Sequence, residues 1–256
     1  MFAQGCASDA VVVGLIGERG REAAHWIACC DSRTSVVAAP SDRAAAERLA
    51  AARVAVAQAH ALRLQGLHVL LIIDSLARFG TALREIAIAN GEPAGRGGYP
   101  PSVFVEMAKL LEAGGNVSRG SITIVATVLS DGADEREPLS DAARSLLDGH
   151  IMLSCALSNA GHYPAIDVLA SKSRTMNEVV DAEHAQMAGI VRAALAHLNS
   201  TADMRAIGLA AGDARARRVE AAEAAIAFFL QQDSQPVPAP QTMAQLRTLA
   251  RELQGD

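Results

Sequence analysis

The 256-residue sequence contains few aromatic residues: Phe, Trp and Tyr make up 3% of the chain, although hydrophobic residues make up 50%. A buried core must therefore consist mostly of Ala, Val, Leu and Ile side chains. No apolar run reaches the roughly 18 to 20 residues that a membrane-spanning helix needs. The N-terminus also lacks a charged segment followed by an apolar run, so we expect no signal peptide.

Neither basic charge nor paired cysteines are abundant. The formal net charge is −5, which argues against a nucleic-acid-binding protein, because such proteins usually carry a basic stripe. The four cysteines, which show neither C-x-x-C spacing nor a Cys/His ligand pattern, are Cys6, Cys29, Cys30 and Cys155. This pattern indicates buried, reduced thiols in a cytoplasmic protein.

Short apolar runs alternate with amphipathic segments over the first two thirds of the chain. The runs that predict strands are Val11–Ile16, Ser35–Ala39, His68–Ile73, Ser121–Leu129 and Gly149–Leu153. The segments that predict helices are Ser41–Gln65, with Ser41 as N-cap, Ser75–Asn90, Ser102–Ala113 and Ser140–Leu147. Such alternation predicts an α/β fold with a mainly parallel sheet flanked by helices. We expect Val11–Ile16, Val69–Ile73, Ile122–Leu129 and Ile151–Leu153 to share one sheet.

The pattern changes to helical periodicity after Met176, without further apolar β runs. A Pro-rich segment, Asp233–Gln241, precedes a last amphipathic helix. We therefore place a domain boundary near residues 176–180. This gives a catalytic domain over residues 1–178 and a C-terminal helical domain over residues 179–256.

Charged residues follow two of the predicted buried strands. Asp74 ends the run that begins at His68, and Glu18 lies in a Gly-flanked charged segment, Gly17–Glu22, after the first strand. Ligands bind at the carboxyl edge of open α/β sheets, so both acids are candidates for one site there. Each has an ordinary alternative, since parallel strands often end in Asp and a charged turn can simply face solvent.

Two further candidates lie in a later polar stretch. Tyr163 is one of only two tyrosines and stands beside Pro164 in a loop, where an aromatic ring could stack on a purine or cap a core. Arg174 follows the segment Ser171–Ser173 and, taken alone, is equally compatible with a surface arginine.

Taken together and in order, several runs resemble the ATPases that energise type III protein export, which are relatives of the rotary ATP synthase catalytic subunits. The runs are LIGERGRE, LLIIDSLARFGTALREIAIANGEP, GYPPSVF, LLDGHIMLS and GHYPAIDVLASKSR. The resemblance covers about residues 10–200 and implies a RecA-like ATPase core. The stretch ASKSRTMNEVVDAEH is more similar to the virulence injectisome branch than to the flagellar one.

The resemblance implies roles for five residues at the strand ends. Glu18 would be the general base that polarises the attacking water. Arg19 would lie near the γ-phosphate, and Glu22 would help to organise the hydrated metal. Asp74 would be the acid associated with Mg²⁺, with Arg78 close behind it. ATP and Mg²⁺ are the implied ligands.

The same resemblance implies that Tyr163 stacks against adenine and that Arg174 is an arginine finger for the neighbouring subunit. It further implies a homohexamer, a central stalk protein that meets the acidic loop Asp131–Glu137, and bound chaperone–effector complexes. The expected location is the cytoplasm, peripherally at the cytoplasmic face of the inner membrane, with no nucleic acid bound.

One expected motif does not occur in the sequence. The family uses a G-x-x-x-x-G-K-S/T loop to cradle phosphates, whereas the only lysines here are Lys109 and Lys172. We therefore expect an N-terminally truncated member that does not hydrolyse ATP alone. The alternatives are an inactive remnant that acts only through its interaction surfaces and a flagellar export ATPase.

Overall fold

The computed structural model describes residues 5–129, 137–208, 213–233 and 235–255. Most of the acidic loop Asp131–Glu137, for which a stalk contact was expected, lies outside these ranges. The chain forms two compact units, Cys6–Leu147 and Asp148–Asp256. The strand pair after residue 148 thus groups with the C-terminal helices, and the domain boundary near residues 176–180 stays a prediction.

The first unit is built on a five-stranded sheet in the order β2-β1-β3-β5-β4. Its strands are β1 (Ala10–Ile16), β2 (Thr34–Ala39), β3 (His68–Asp74), β4 (Gly115–Asn116) and β5 (Ser121–Ala126). β1, β2, β3 and β5 run parallel, and only the short β4 is antiparallel. The predicted α/β fold with a mainly parallel sheet is confirmed.

The two central strands are apolar because helices cover both faces of a parallel sheet. Every residue of β1 is buried, and in β3 the stretch from Val69 to Ile73 is buried as well. Their register pairs Ala10 with Val69 and Leu15 with Asp74, so the two strands end at the same edge.

The helices of the first unit are α1 (Gly20–Cys29), α2 (Ala45–Leu64), α3 (Leu76–Ala89), α4 (Pro101–Leu111) and α5 (Pro138–Leu146). The Ser75 Oγ caps α3 by accepting a bond from the Arg78 N–H. The N-cap predicted at Ser41 was wrong, because α2 begins at Ala45 and the Glu47 carboxylate accepts the Ala44 N–H at 3.1 Å. The apolar faces of α2, α3 and α4 pack with the strands into one core.

In the described residues the sheet ends at β2 on one side and at β4 and β5 on the other. Strand β4 pairs only with Ser121 and Ile122. Among the described residues, no strand pairs with the outer edge of β5 from Thr123 to Ala126. Unpaired backbone groups at such an edge can accept a further strand.

The second unit contains a separate two-stranded antiparallel sheet, β6 (Gly149–Leu153) and β7 (Ile166–Ser173). The expectation that Ile151–Leu153 belongs to the main sheet was therefore wrong. The partner strand β7 was not predicted, because its sequence is half polar and has no clean alternation of apolar and polar residues. Ile151 and Leu153 are exposed on β6, unlike the apolar residues of β1.

Helices make up the rest of the second unit: α6 (Cys155–Asn159), α7 (Met176–Val179), α8 (Ala182–Ala206), α9 (Ala214–Ala221), α10 (Glu223–Leu230) and α11 (Ala239–Gln254). The predicted helical character after residue 180 is confirmed for the described residues. Buried side chains of α8, α9, α10 and α11 form a second core.

Two sequence-based expectations about surface properties have different outcomes. Within the described ranges, no helix is long and apolar enough to cross a membrane. The four cysteines are free thiols, but the expectation that they are buried was wrong: Cys6 and Cys30 are half-buried, and Cys29 and Cys155 are exposed. These two thiols lie at a helix end and at a helix start, where the chain leaves the packed core.

Candidate active site

Acidic side chains meet at the carboxyl edge of the main sheet. β1 and β3 are neighbours, and Glu18 lies three residues beyond Leu15, the register partner of Asp74. The negative charge of Asp74 raises the pKa of Glu18, as expected for a carboxylate nearby. The structure therefore brings together the two acids that sequence reasoning assigned to one site.

Gly17 makes the turn that delivers Glu18 to this edge. Its φ angle is +74°, in the left-handed region that glycine adopts without strain. The Gly17 N–H donates to the Ala39 carbonyl at 2.8 Å, and the Ser41 N–H donates to the Glu18 carbonyl at 3.1 Å. A Cβ at position 17 would stand 3.0 Å from the Arg78 Cδ. The turn is thus fixed to β2 and pressed against Arg78.

Glu18 is a buried acid with a cationic partner. Its residue is 8% exposed, and its Oε1 lies 2.9 Å from the Arg78 Nε. The two atoms are close, yet neither has an aligned hydrogen-bond partner within the described residues. The contact is therefore an ion pair without ideal hydrogen-bond geometry, and it leaves the carboxylate able to bind another donor, such as water.

The surroundings raise the pKa of Glu18 above its usual range. Burial is the largest cause, because it disfavours the charged form, and the negative charge of Asp74 is the next. The Arg78 guanidinium lowers the pKa and opposes these effects, while Glu22 adds to the rise. A buried carboxyl group whose pKa is raised by its surroundings has the properties that enzymes use in a general base or acid.

We expect Glu18→Gln to stabilise this 256-residue chain at neutral pH. Because the folded-state pKa is raised, stability present at acidic pH is lost as the pH rises through that pKa. Gln stays neutral and avoids this loss. Thermal unfolding at about pH 4 and about pH 8 should give a Tm gain for the variant only at the higher pH; 1 kcal/mol corresponds to ~2–4 °C.

The exposed Glu112→Gln variant is the matched control and should change Tm by less than about 1 °C at both pH values, since surface substitutions rarely matter. A Glu18→Gln gain that is equal at both pH values would contradict the raised pKa.

Arg19 and Glu22 begin helix α1 beside this site. The Arg19 side chain is 63% exposed, and its Nε lies 3.8 Å from Glu22 Oε1. A solvated pair at this distance contributes little stability. The structure thus places both residues near Glu18 in the chain and leaves the Arg19 head in solvent.

Thr127 is a site residue that sequence reasoning missed. Its hydroxyl donates to Asp74 Oδ1 at 2.6 Å, and its N–H donates to the Ile73 carbonyl at 3.0 Å. It directly follows β5, the strand next to β3, whereas the sequence predicted a strand that continues to Leu129 and so hid this position. Thr127 fixes the orientation of the strand-end acid.

The acids fit a hydrated Mg²⁺ better than a fully ligated one. Among the described residues, no group of three or more His, Cys, Asp or Glu could hold a metal ion by itself. Protein-bound Mg²⁺ often keeps several waters and takes one or two carboxylates with substrate phosphates. The negative charges of Asp74 and Glu22 repel that of Glu18, and a bound cation would reduce this repulsion.

Tyr163 borders a cavity of about 620 Å³ in the second unit. The lining includes Leu153, Ser154, Ser158, Tyr163, Ala165 and Gln232. The Tyr163 hydroxyl and Ser158 Oγ are hydrogen-bonded at 3.0 Å, and the Gln232 N–H donates to the Tyr163 carbonyl at 3.1 Å. The ring is 57% exposed, so it does not cap a core. Its face is open to a ligand.

Arg174 directly follows β7 and is exposed. Its N–H donates to the Asp148 carbonyl at 2.7 Å, which continues the β6–β7 pairing by one residue. The backbone at Arg174 is therefore held by this bond.

The chain is similar to known proteins over most of its length. Residues 1–173 match the ATP synthase alpha/beta family, nucleotide-binding domain. A flagellum-specific ATP synthase from Pseudomonas aeruginosa is 46% identical over 218 residues, 80% of this chain and 48% of that protein. A type 3 secretion system ATPase from Pseudomonas syringae pv. syringae is 42% identical over 253 residues, 96% and 56% of the two chains.

A solved structure gives the same result. The assembled ATPase EscN, from the type III secretion system of enteropathogenic E. coli, matches with a TM-score of 0.93 and 37% identity. The match covers 97% of this chain and 62% of that one. EscN has also been solved in complex with its central stalk EscO. The fold is thus that of a RecA-like nucleotide-binding core with a C-terminal helical segment.

The present chain spans about half the length of the two curated relatives described above. The family match covers more than half of this chain, and the relatives are named as ATPases or ATP synthases. The chain therefore belongs to the ATP synthase alpha/beta family, within the group that contains the type 3 secretion system ATPases and the flagellum-specific ATP synthases.

Proposed function

We propose that this chain carries the catalytic residues of an ATP-hydrolysing subunit that drives protein export. The observation that carries the proposal is the buried Glu18 carboxyl, 2.9 Å from Arg78, just beyond the strand next to the one that ends at Asp74, at the carboxyl edge of a parallel sheet. Ligands bind at this edge in α/β proteins.

Glu18 would orient the attacking water and accept its proton while the oxygen bonds to the γ-phosphorus and ADP leaves. A raised pKa brings the base closer to working pH, where proton transfer is most effective. Arg78 would keep enough of the carboxyl ionised for this role, because its charge opposes the effect of burial. Arg19 extends into solvent and would approach the γ-phosphate.

Asp74 and Glu22 would hold hydrated Mg²⁺ that arrives with the nucleotide. When bound, the ion would supply positive charge against the β- and γ-phosphates. The Thr127 hydroxyl would keep the Asp74 carboxylate aimed at the ion's water shell, since it occupies Oδ1 and leaves Oδ2 available.

Tyr163 would stack against adenine in the cavity of the second unit. The volume of about 620 Å³ lies in the range of small-molecule sites. Its hydroxyl is held by Ser158 and its carbonyl by Gln232, so the ring is presented in one orientation. A Tyr163 ring that is already held in place lowers the entropic cost of binding the adenine base.

Arg174 would act on a neighbouring subunit within a homohexamer. An arginine supplied across an interface stabilises charge on the transferring phosphoryl group. EscN has been solved in an assembled state and in complex with its central stalk EscO, and we extend both properties to this chain as part of the proposal. The proposal also includes binding of chaperone–effector complexes and unfolding of the exported proteins. It places the subunit at the cytoplasmic face of the inner membrane.

A phosphate-binding loop must come from outside these 256 residues, because none occurs in the sequence. The open edge of β5 is where we place it. A parallel strand added from Thr123 to Ala126 would end beside Thr127 and hence near Asp74. Its following turn would then present N–H donors to the phosphates at the correct edge of the sheet.

A chimera in which these residues replace the matching part of EscN tests the proposal. We expect Mg²⁺-dependent phosphate release within about tenfold of EscN, whereas the 256-residue polypeptide alone should release none, since several phosphate donors are missing and each is worth ~2.7–4 kcal/mol. A folded, assembled chimera without turnover would contradict the proposal. Turnover by the 256 residues alone would show that the phosphate loop is dispensable.

The flagellar reading is a second candidate, because a flagellum-specific relative matches as closely as the secretion ATPases do. Both readings share the chemistry at Glu18 and differ in the proteins exported. Complementation of flagellar and injectisome deletion strains by the chimera would separate them: restored motility favours the flagellar reading, and restored effector secretion favours the injectisome.

A further inference from the structure

Strand β7 contains a wide bulge just before Arg174. The pairing runs Gly149–Ser173 and His150–Lys172, and it resumes at Met152–Asp167. Ile151 alone therefore lies opposite four residues of β7, Val168–Ser171, which we call the β7 bulge. A bulge leaves backbone groups without ladder partners and re-aims the side chains that follow it.

Asp167 holds this bulge together. Its Oδ1 accepts the Leu169 N–H at 3.0 Å and the Ala170 N–H at 2.9 Å. Its carbonyl accepts the Ser171 hydroxyl at 2.6 Å. One residue thus binds three of the four members of the β7 bulge, and the two bonds to its ionised carboxylate are of the stronger, charge-assisted kind.

The opposite strand completes the network. Ser171 Oγ accepts the Met152 N–H at 2.9 Å, and the His150 Nε2–H donates to the Ala170 carbonyl at 3.1 Å. The bulge is therefore bound to β6 as well as to Asp167. Among the side-chain hydrogen bonds of the described residues, those from within β7 to the bulge all involve Asp167, which is why we assign the shape of the bulge to it.

The length of the bulge decides which way Arg174 points. Only Lys172 and Ser173 separate the bulge from Arg174, and a slip of one residue in a strand moves every side chain to the opposite face. The bond from the Arg174 N–H to the Asp148 carbonyl exists only in the observed register. A bulge of another length would shift this register and, with it, the face of β7 on which residue 174 lies.

We infer that Asp167 is a positioning residue for Arg174: its carboxylate fixes the β7 bulge and, through it, the face from which the arginine reaches a neighbouring subunit. This inference rests on the proposed role of Arg174. Asp167 itself touches neither nucleotide nor the reacting atoms in this scheme.

Activity of Asp167 variants in the EscN chimera tests the inference. Asp167→Ala should lower kcat by about tenfold to a hundredfold with KM for ATP changed less than about twofold, because a small displacement of a reacting group costs rate rather than binding. Asp167→Asn keeps the Oδ1 acceptor and should recover most of the loss. The exposed Asp203→Ala is the control and should leave kcat unchanged.

Coupling to Arg174 separates positioning from general stability. In an Arg174→Ala background, Asp167→Ala should cause no further loss of kcat, since the group that it positions is gone. An equal fold-loss in both backgrounds, or a kcat for Asp167→Ala within about twofold of the parent, would overturn the inference. If Arg174→Ala lowers kcat but Asp167→Ala does not, the inference about Asp167 is overturned and the proposed function still stands.

Amide hydrogen exchange on the 256-residue chain gives a readout that needs no activity. Asp167→Ala should make the amides from Leu169 to Arg174 exchange about tenfold faster or more, with Asp167→Asn intermediate and helix α8 unchanged. Unchanged exchange from Leu169 to Arg174 would overturn the inference. An inactive parent chimera would contradict the proposed function. The exchange experiment would then still test whether Asp167 fixes the β7 bulge.

Discussion

Glu18→Gln in the EscN chimera is expected to lower steady-state ATP turnover by about 10²- to 10⁴-fold, the usual contribution of a general base. Gln matches Glu in shape and can still contact Arg78, but its amide cannot take a proton from water at neutral pH. Because the substitution removes a buried negative charge beside Asp74, it should not weaken the binding of an anionic nucleotide. We therefore expect Kd for ATP within about threefold of the parent.

The matched control for this prediction is Glu112→Gln, which makes the same chemical change at an exposed helix end. It should leave turnover within about twofold of the parent, as surface substitutions generally do. A Glu18→Gln chimera with more than about one tenth of parental turnover would remove Glu18 from the catalytic role, since a general base contributes at least 10²-fold.

Arg174→Ala is expected to lower turnover by about 10³-fold or more, the range found for arginine fingers. Nucleotide binding to each subunit should persist, because in the proposed scheme the arginine would act on the phosphates bound by the next subunit rather than by its own. The exposed Arg192→Ala on helix α8 removes a guanidinium elsewhere and should leave turnover within about twofold.

Mixing variants tests whether Arg174 acts across an interface. Arg174→Ala subunits keep Glu18, and Glu18→Gln subunits keep Arg174, so a mixed ring contains interfaces with both groups intact. If the arginine works in trans, mixing two inactive preparations should restore turnover. Mixtures that stay inactive, although the subunits exchange, would mean that both residues serve the same subunit.

The central sheet could be predicted because its strands are continuous apolar runs. β1 and β3 are buried on both faces, so their sequences carry no competing polar pattern, and the acids that follow them stand out. The pairing of Leu15 with Asp74 then brought Glu18 and Asp74 to one edge, as expected for neighbouring parallel strands. Because β1 and β3 are buried, both the strands and the acids that follow them could be predicted from the sequence.

Strand β7 and its bulge could not be predicted in the same way. β7 lies in a two-stranded sheet, where pairing rather than burial stabilises the strand, and its polar residues serve the bulge instead of a sheet face.

Thr127 was missed for a related reason: a single hydroxyl after a strand has no pattern, and its role depends on its contact with Asp74. Ser41 was misassigned because a Glu47 carboxylate bond lets α2 begin later.

The fate of ATP in a single turnover tests most directly the claim that Glu18 performs the hydrolytic step. Radiolabelled ATP would first be bound by an excess of the chimera. The reaction would be started with Mg²⁺ and quenched with acid, and the remaining ATP would be separated from the ADP formed. The parent should convert its bound ATP, while Glu18→Gln should hold it as intact ATP for at least about 100 times longer. Conversion by Glu18→Gln at the parental rate would contradict the claim.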